Sequence, residues 1–258
     1  MSIAGSGSTR GRAKTIRVLD NASILLDLLA DRGEMGIAEI ARDMGVPRPS
    51  AYRLVDALEV IGFVTIDDAG AVRLGLELLH LAQAALAQIP ELQVAGPVMT
   101  RLRDETGQTV YLGAVRGERI MCLDWREGER VSLLVLTPGG TLPPNAGGLS
   151  RVIVAHDPEL LQRVIASGSL QALTPHTITG ADALIADAET TRRRGHSISD
   201  EDVTVGVAAI GVPIISPAGR LVGALSVAGL RDEVLDRERE FSGLLEGAAR
   251  EVAASAAP

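Results

Sequence analysis

Cysteine is almost absent from this 258-residue chain, because Cys122 is the single example. A lone cysteine excludes an intramolecular disulfide and a zinc site built from several cysteines. Long apolar runs are also missing, since none reaches the ~18 residues that a membrane-spanning helix needs. The first 14 residues carry no apolar core of the kind found in a secretory signal. We therefore expect a cytoplasmic protein without a membrane partner.

The motifs of common enzyme sites are missing as well. The four histidines, His80, His156, His176 and His196, never stand three or four residues apart, which argues against a zinc or iron site. The chain has no GxSxG, no P-loop and no dinucleotide-binding GxGxxG. We expect no catalytic residue, no metal and no cofactor, although the acidic run at 200–202 leaves a cation site open.

Lys14 is the single lysine of the chain. The formal net charge is −8. This acidity argues against a protein that coats nucleic acid non-specifically. The excess of acidic residues lies mainly in the second part of the chain. Residues 1–75 carry nine basic and ten acidic side chains, whereas residues 76–258 carry sixteen basic and twenty-three acidic side chains. Residues 1–19 hold four basic side chains and no acid. We expect a disordered basic arm at 1–14 that either follows DNA phosphates or is simply solvated.

Residues 37–62 have the pattern of two short amphipathic helices joined by a tight turn. Gly45 suits a left-handed turn position, and Pro49 suits the first turn of a helix, where its missing N–H needs no partner. The second helix is expected to bury Ala51, Leu54, Val55, Leu58 and Ile61 and to turn Pro49, Tyr52, Arg53 and Asp56 outward. This is the layout of a helix-turn-helix, whose second helix enters the DNA major groove. An ordinary helical hairpin gives the same pattern.

Two neighbouring segments favour the DNA-binding alternative. Residues 16–30 predict a preceding helix with Val18, Ala22, Leu25, Leu26 and Leu29 on one side. Residues 63–74 predict a β-hairpin with a glycine in its turn. Three helices followed by a hairpin form a winged helix-turn-helix, which we predict over residues 15–75.

The rest of the chain predicts a linker helix and a second domain. Residues 76–89 are rich in Leu and Ala, and this helix can both join the domains and pack against a second copy. From residue 90 onward, helical patterns mix with apolar strands, which favours an α+β domain with an antiparallel sheet. The predicted strands cover 109–115, 119–125, 131–136, 206–215 and 220–228, and the predicted helices cover 94–106, 150–155, 158–166, 181–194 and 238–254.

Four stretches resemble the IclR family of bacterial transcriptional regulators. They are GVPRPSAYRLVDALEVIGFV in the helix-turn-helix, the loop LPPNAGG, LTPHTIT at 173–179, and RRRGHSISDEDVTVGVAAIGVPI at 192–214, where Asp202 replaces the expected glutamate. The resemblance spans about residues 16–254. It implies an α/β chain of the α+β type, with a winged helix-turn-helix, a linker helix and a GAF-like effector-binding domain over 90–258. It also implies a homodimer or dimer of dimers that binds operator DNA and a small-molecule effector, with the acidic run at 200–202 capping a loop.

The same resemblance implies which residues contact DNA. They are Arg48, Ser50, Tyr52, Arg53 and Arg73. Arg53 is the first candidate, because a planar guanidinium can bridge phosphate or read guanine. Asp56 can pair with Arg53 instead, which would weaken that role. Pro49 stands where the family often has serine, so one hydroxyl for phosphate is missing.

For the effector, the resemblance implies a cavity lined by Val131, Leu134, Gly148, Leu149, Ser199, Ala209 and Ser226. Gly148 permits close backbone approach, and Ser226 supplies a hydroxyl. Family members that bind very small acids carry more polar groups where this chain has Ser199, Ala209 and Ala228, so we expect a more apolar pocket. The alternative is that these small residues only permit tight strand packing. Trp125 either stacks on a ligand ring or belongs to the core, and Cys122 is expected to be buried.

Together these features predict a ligand-responsive, DNA-binding transcriptional regulator that senses a small organic acid, aromatic acids included. We expect a repressor, although activators share this layout. Two alternatives remain at this stage. One is a DNA-binding regulator without a ligand, and the other is an enzyme built on the second domain.

Overall fold

The computed structural model describes residues 16–88, 90–129, 136–168 and 170–255. The chain divides between Gln88 and Ile89 into two compact units. The predicted basic arm at 1–14 lies outside the described residues, as does most of the predicted strand at 131–136. Within the four described ranges, no helix is both long and apolar enough to cross a membrane.

Three helices and a small antiparallel sheet form the body of the first unit. The helices are α1 (Arg17–Arg32), α2 (Ile37–Asp43) and α3 (Arg48–Val60), and the strands β1 (Met35–Gly36), β2 (Val64–Ile66) and β3 (Ala71–Leu74) lie in the order β1-β3-β2. Gly45 between α2 and α3 has a φ of 65°, and Gly70 in the hairpin turn has a φ of 79°. Pro49 lies in the first turn of α3. The predicted winged helix-turn-helix is confirmed.

The core of the first unit lies where the three helices meet the sheet. Its buried side chains are Leu25, Leu29, Met35, Ile40, Leu54, Val55, Leu58, Val64 and Val72. Two residues assigned to the buried stripes are instead exposed, Val18 by 56% and Ile61 by 51%. Val18 stands in the first turn of α1, and Ile61 follows the last residue of α3. The prediction for both is wrong because they lie beyond the stretch of helix that faces the core.

The expected connecting helix is α4 (Glu77–Ala87), and none of its residues is buried within the unit. Leu79, Leu81 and Leu86, with Leu76 just before the helix, expose between 38% and 83% of their surface. An apolar helix face of this kind is typical of a surface that a partner covers.

Six strands form the sheet of the second unit: β4 (Thr109–Arg116), β5 (Arg119–Arg126), β6 (Thr141–Leu142), β7 (Ser197–Asp200), β8 (Val207–Ile215) and β9 (Leu221–Leu230). They are antiparallel, in the order β6-β5-β4-β9-β8-β7. The helices are α5 (Pro90–Thr106), α6 (Gly148–His156), α7 (Pro158–Ser167), α8 (Ala181–Arg194), α9 (Arg231–Asp236) and α10 (Glu238–Ser255). The predicted α+β class is confirmed.

Helices cover both faces of this sheet. On one face α5 and α10 enclose a core around Met99, Phe241 and Leu245, and on the other α6, α7 and α8 enclose a core around Ile153 and Leu160. Because both faces are covered, β8 and β9 are buried along most of their length instead of alternating with solvent.

Four elements were not predicted from the sequence. They are the two-residue strands β1 and β6, the short helix α9, and β7, whose residues Ser-Ile-Ser-Asp show no apolar run. β7 exists because it pairs with β8, with Ser197 opposite Gly211 and Ser199 opposite Ala209. This edge strand brings polar side chains to the α6 side of the sheet.

Candidate DNA-binding face and effector cavity

The outward face of α3 carries the predicted DNA-facing residues. Arg48, Tyr52 and Arg53 are exposed, and Ser50 is half-buried. The opposite face of α3 is anchored in the core, so the backbone of the helix is held rigidly while this face is free. A rigid helix with an exposed polar face is what entry into a major groove requires.

Several arginines of the first unit are neutralised by nearby carboxylates. Arg42 and Arg32 both donate to Asp43, and the bond from Arg42, supported by that from Arg32, holds the pKa of this carboxyl below its usual range. Arg73 Nη2 lies 2.6 Å from Asp67 Oδ2. Since Asp67 also accepts backbone N–H groups of the hairpin turn, Arg73 braces the wing.

A second group of arginines lacks such partners. Among the described residues, Arg17, Arg48 and Arg53 form no ion pair, and the alternative pairing of Arg53 with Asp56 is not formed. Arg17 and Arg53 line one open groove between α1 and α3, together with Asn21, Ser50, Val18, Val46, Pro47, Leu54 and Ala57. Uncompensated positive charge is therefore gathered beside the exposed face of α3.

A small cavity, with about 50 Å³ open to the centre of a water-sized sphere, lies between α6 and the sheet of the second unit. Five residues that the resemblance assigned to the effector come together in its wall: Gly148, Leu149, Ser199, Ala209 and Ser226. Val131 and Leu134 lie outside the described residues. Ala228, one of the positions from which the apolar pocket was expected, also lines it. The rest of the wall was not foreseen, and it consists of Tyr111, Leu136, Leu142, Gly147, Val203, Thr204 and Val207.

The start of α6 is seated directly on the sheet. A Cβ on Gly211 would lie 2.2 Å from the Gly148 carbonyl oxygen, and a Cβ on Gly148 would lie 2.7 Å from Ser226 Oγ. Ser197 Oγ donates to the same Gly148 oxygen at 2.7 Å. Glycines at both contact points therefore let the helix N-terminus approach the cavity closely, as expected for Gly148.

Residues that line this largely apolar space carry hydrogen-bond donors. The Tyr111 hydroxyl is buried and has no hydrogen-bond partner among the described residues. Burial raises the pKa of Tyr111, so the phenol stays protonated and able to donate. Ser226 Oγ makes only a long 3.4 Å contact with the Val227 oxygen. The first N–H groups of α6 add further donors and the positive end of the helix dipole.

Behind the cavity wall lies a buried network centred on Asp202, which is 1% exposed. Its carboxylate accepts from Arg151 Nη1 at 3.1 Å, from the Gly147 N–H at 3.2 Å and from the Ser199 hydroxyl. Arg151 also binds Asp187 through two nitrogens. The acidic run at 200–202 thus caps a loop, and no cluster suited to a metal ion occurs in the described ranges.

Three further residues are placed by the fold. Trp125 does not line the cavity but packs against the adjoining core, with its ring centroid 6.1 Å from that of Tyr111. Cys122 is fully buried, and burial raises the pKa of its thiol to about 12. Of the residues missed from the sequence, Tyr111 had one usable signal, a polar-tipped aromatic within a predicted apolar strand.

Comparison with known proteins agrees with this division. The model of the bacterial transcriptional regulator IclR C-terminal domain matches residues 83–254, and that of the IclR helix-turn-helix domain matches residues 18–68. The glycerol operon regulatory protein of Streptomyces coelicolor is 31% identical over 245 residues, covering 93% of this chain and 95% of that protein.

Solved structures share the fold over nearly the whole chain. The Thermotoga maritima IclR gives a TM-score of 0.70 at 26% identity, covering 94% of this chain and 99% of that one. An IclR homologue from Microbacterium hydrocarbonoxydans, solved with 4-hydroxybenzoate, gives 0.80 at 24% identity and covers 93% of this chain and 98% of that one.

Each of the two family models assigns a kind of partner to one domain of the chain. The helix-turn-helix binds DNA, and the second domain binds a small-molecule effector. Relatives that match along the chain are named transcriptional regulators and not enzymes. This chain belongs to the IclR family of bacterial DNA-binding transcriptional regulators.

Proposed function

We propose that this regulator is a cytoplasmic repressor that binds its operator as a homodimer or dimer of dimers and responds to a small organic acid. The observation that carries the proposal is the cavity under α6, whose mostly apolar wall includes Tyr111, with a buried hydroxyl that has no hydrogen-bond partner among the described residues. A relative that is 27% identical over 210 residues is named a transcriptional repressor, and this supports repression.

The cavity suits an organic acid with an apolar body. Its wall is mostly apolar with a few polar groups, which is the usual lining of a small-molecule site. Leu136, Leu142 and Val203 supply apolar contact, while the Tyr111 hydroxyl and the N-terminus of α6 supply donors that a carboxylate accepts. The 4-hydroxybenzoate held by one solved family member is a ligand of this class.

For DNA, we propose a division of labour among the arginines. Arg48 and Arg53 on α3 face the major groove, with Ser50 and Tyr52 beside them. A guanidinium that is not already paired can form two parallel bonds to guanine or bridge phosphates. Arg73 is held by Asp67, so its main role is to keep the wing in place.

The exposed leucines of α4 supply the proposed dimer contact. A second copy packing along this helix would bury apolar surface that one copy leaves in water. The same contact would set the distance between two copies of α3, which must match the roughly 34 Å between successive major grooves.

Effector binding would act by shifting the balance between spacings of the two DNA-binding units. A ligand changes this balance only through its different affinity for the two arrangements. A coupling of about 1–3 kcal/mol would change DNA affinity by roughly 5–150-fold.

The proposal is tested by fluorescence anisotropy of the protein on its own promoter DNA, with and without a panel of aromatic and aliphatic acids. Arg53→Ala should lose operator binding and keep effector binding, whereas Arg42→Ala, an arginine paired with Asp43, should change operator binding little. Ser226→Ala should weaken the effector response and leave DNA binding without effector intact. A specific complex that no acid alters would refute the sensor, and no complex at low salt would refute the DNA assignment.

A further inference from the structure

The Ser199 hydroxyl donates its proton in a hydrogen bond to the Asp202 carboxylate. Asp202 already accepts from the Arg151 guanidinium and the Gly147 N–H, and its oxygen also contacts Ser199 Oγ. An ionised carboxylate can only accept hydrogen bonds, so the hydroxyl must donate in this contact.

Ser199 therefore presents an acceptor to the cavity. It lies on β7 opposite Ala209 of β8, is 3% exposed, and forms part of the cavity wall. A serine hydroxyl has one proton and two lone pairs, and the proton is used behind the wall. A ligand atom that meets this hydroxyl gains a hydrogen bond only if it brings its own proton.

An anionic group is disfavoured at this part of the wall. The carboxylate of Asp202 lies directly behind Ser199, and its partner Arg151 is shared with Asp187. Among the described residues, no charged side chain lines the cavity itself. A ligand carboxylate therefore has its favourable donors elsewhere, at Tyr111 and the first turn of α6.

We propose that Ser199, oriented by Asp202, makes the cavity selective for organic acids that carry a second, neutral donor such as a hydroxyl. The inference rests on the proposed effector cavity and narrows its ligand class from acids in general to hydroxylated acids. Ser199 is the group that recognises the hydroxyl, and Asp202 acts through it as a positioning residue.

Matched ligand pairs test the proposal by isothermal titration of the full chain. The pairs are 4-hydroxybenzoate with 4-fluorobenzoate and 3-hydroxypropionate with 3-fluoropropionate, because fluorine is close in size to hydroxyl but cannot donate. For the pair that fits, the hydroxylated member should bind about tenfold more tightly. Ser199→Ala should bring this ratio near one. Ser226→Ala, the same change elsewhere in the wall, should leave the ratio unchanged.

Asp202→Asn provides an independent check on the orientation of Ser199. Its amide can donate to Ser199 and release the serine proton toward the cavity, so the ratio should fall although Ser199 is still present. A folded Asp202→Asn protein with the wild-type ratio would overturn orientation by Asp202. Equal binding of both members of a pair, or a ratio that survives Ser199→Ala, would overturn the selectivity while leaving the cavity as the effector site. Absence of binding by every compound at millimolar concentration would overturn the effector site and this inference together.

Discussion

Replacement of Arg17 by alanine is expected to weaken DNA binding in a salt-dependent manner without changing sequence preference. Arg17 lines the groove beside Arg53 and forms no ion pair with any residue that the structure describes. Its charge is therefore available for a DNA phosphate. Each phosphate contact contributes about 0.9 to the slope of log affinity against log salt. Across the range from about 50 to 200 mM salt, this is roughly a 3.5-fold effect per contact.

In a dimer the substitution removes two contacts, so the slope should become shallower by about 1.8. Fluorescence anisotropy on a duplex of arbitrary sequence measures the slope, and the same titration on promoter DNA measures the preference. Arg42→Ala is the matched control, because it makes the same charge change at an arginine tied to Asp43 and Glu39. Equal slope changes in the two variants would show that net charge alone matters. An unchanged slope for Arg17→Ala would refute the phosphate contact.

Three further outcomes follow from the second unit. Gly211→Ala should destabilise the protein by about 1–3 kcal/mol in urea unfolding, because its Cβ would fall 2.2 Å from the Gly148 carbonyl oxygen. Gly243→Ala is the control and should be tolerated, because the space around its new Cβ is open. Arg151→Ala should cost about 3–5 kcal/mol in the same assay, because the buried Asp202 and the half-buried Asp187 lose their cation. A smaller loss would mean that water replaces the guanidinium. The Cys122 thiol, whose pKa is raised to about 12, should react with iodoacetamide at pH 8 only when the protein unfolds. Rapid labelling of the native protein would contradict the burial of this thiol.

The secondary structure was predictable where a helix or strand is long and strongly patterned. Helix α3 was recognised because Ala51, Leu54, Val55 and Leu58 recur at helical spacing and a turn glycine precedes them. Periodicity does not show where the covering core ends, and this is why Ile61 was placed inside although it is exposed. The strand β7 was missed because its existence depends on pairing with β8 and not on its own composition.

The candidate site was predictable only in part. Gly148, Ser199 and Ser226 were implied by a family resemblance and not by periodicity or spacing. Tyr111 was not named, since the face on which a strand residue lies depends on the helices that cover each side of the sheet. The difference between paired and unpaired arginines was likewise hidden, because it depends on contacts between elements, such as that of Arg32 at the end of α1 with Asp43 at the end of α2.

The amino-acid sequence by itself determined the order of elements, the winged helix-turn-helix and the α+β character of the second domain. These follow from local hydrophobic periodicity and from glycine and proline at helix ends, which act over a few residues. Only the tertiary structure decided which arginines have a carboxylate partner, which glycines seat α6 on the sheet, and which atom receives the proton of Ser199. The seating of α6 depends on groups far apart in the chain, and the contact of Ser199 with Asp202 depends on how the loop after β7 folds against α6. Both arrangements are set by packing and not by local hydrophobic periodicity.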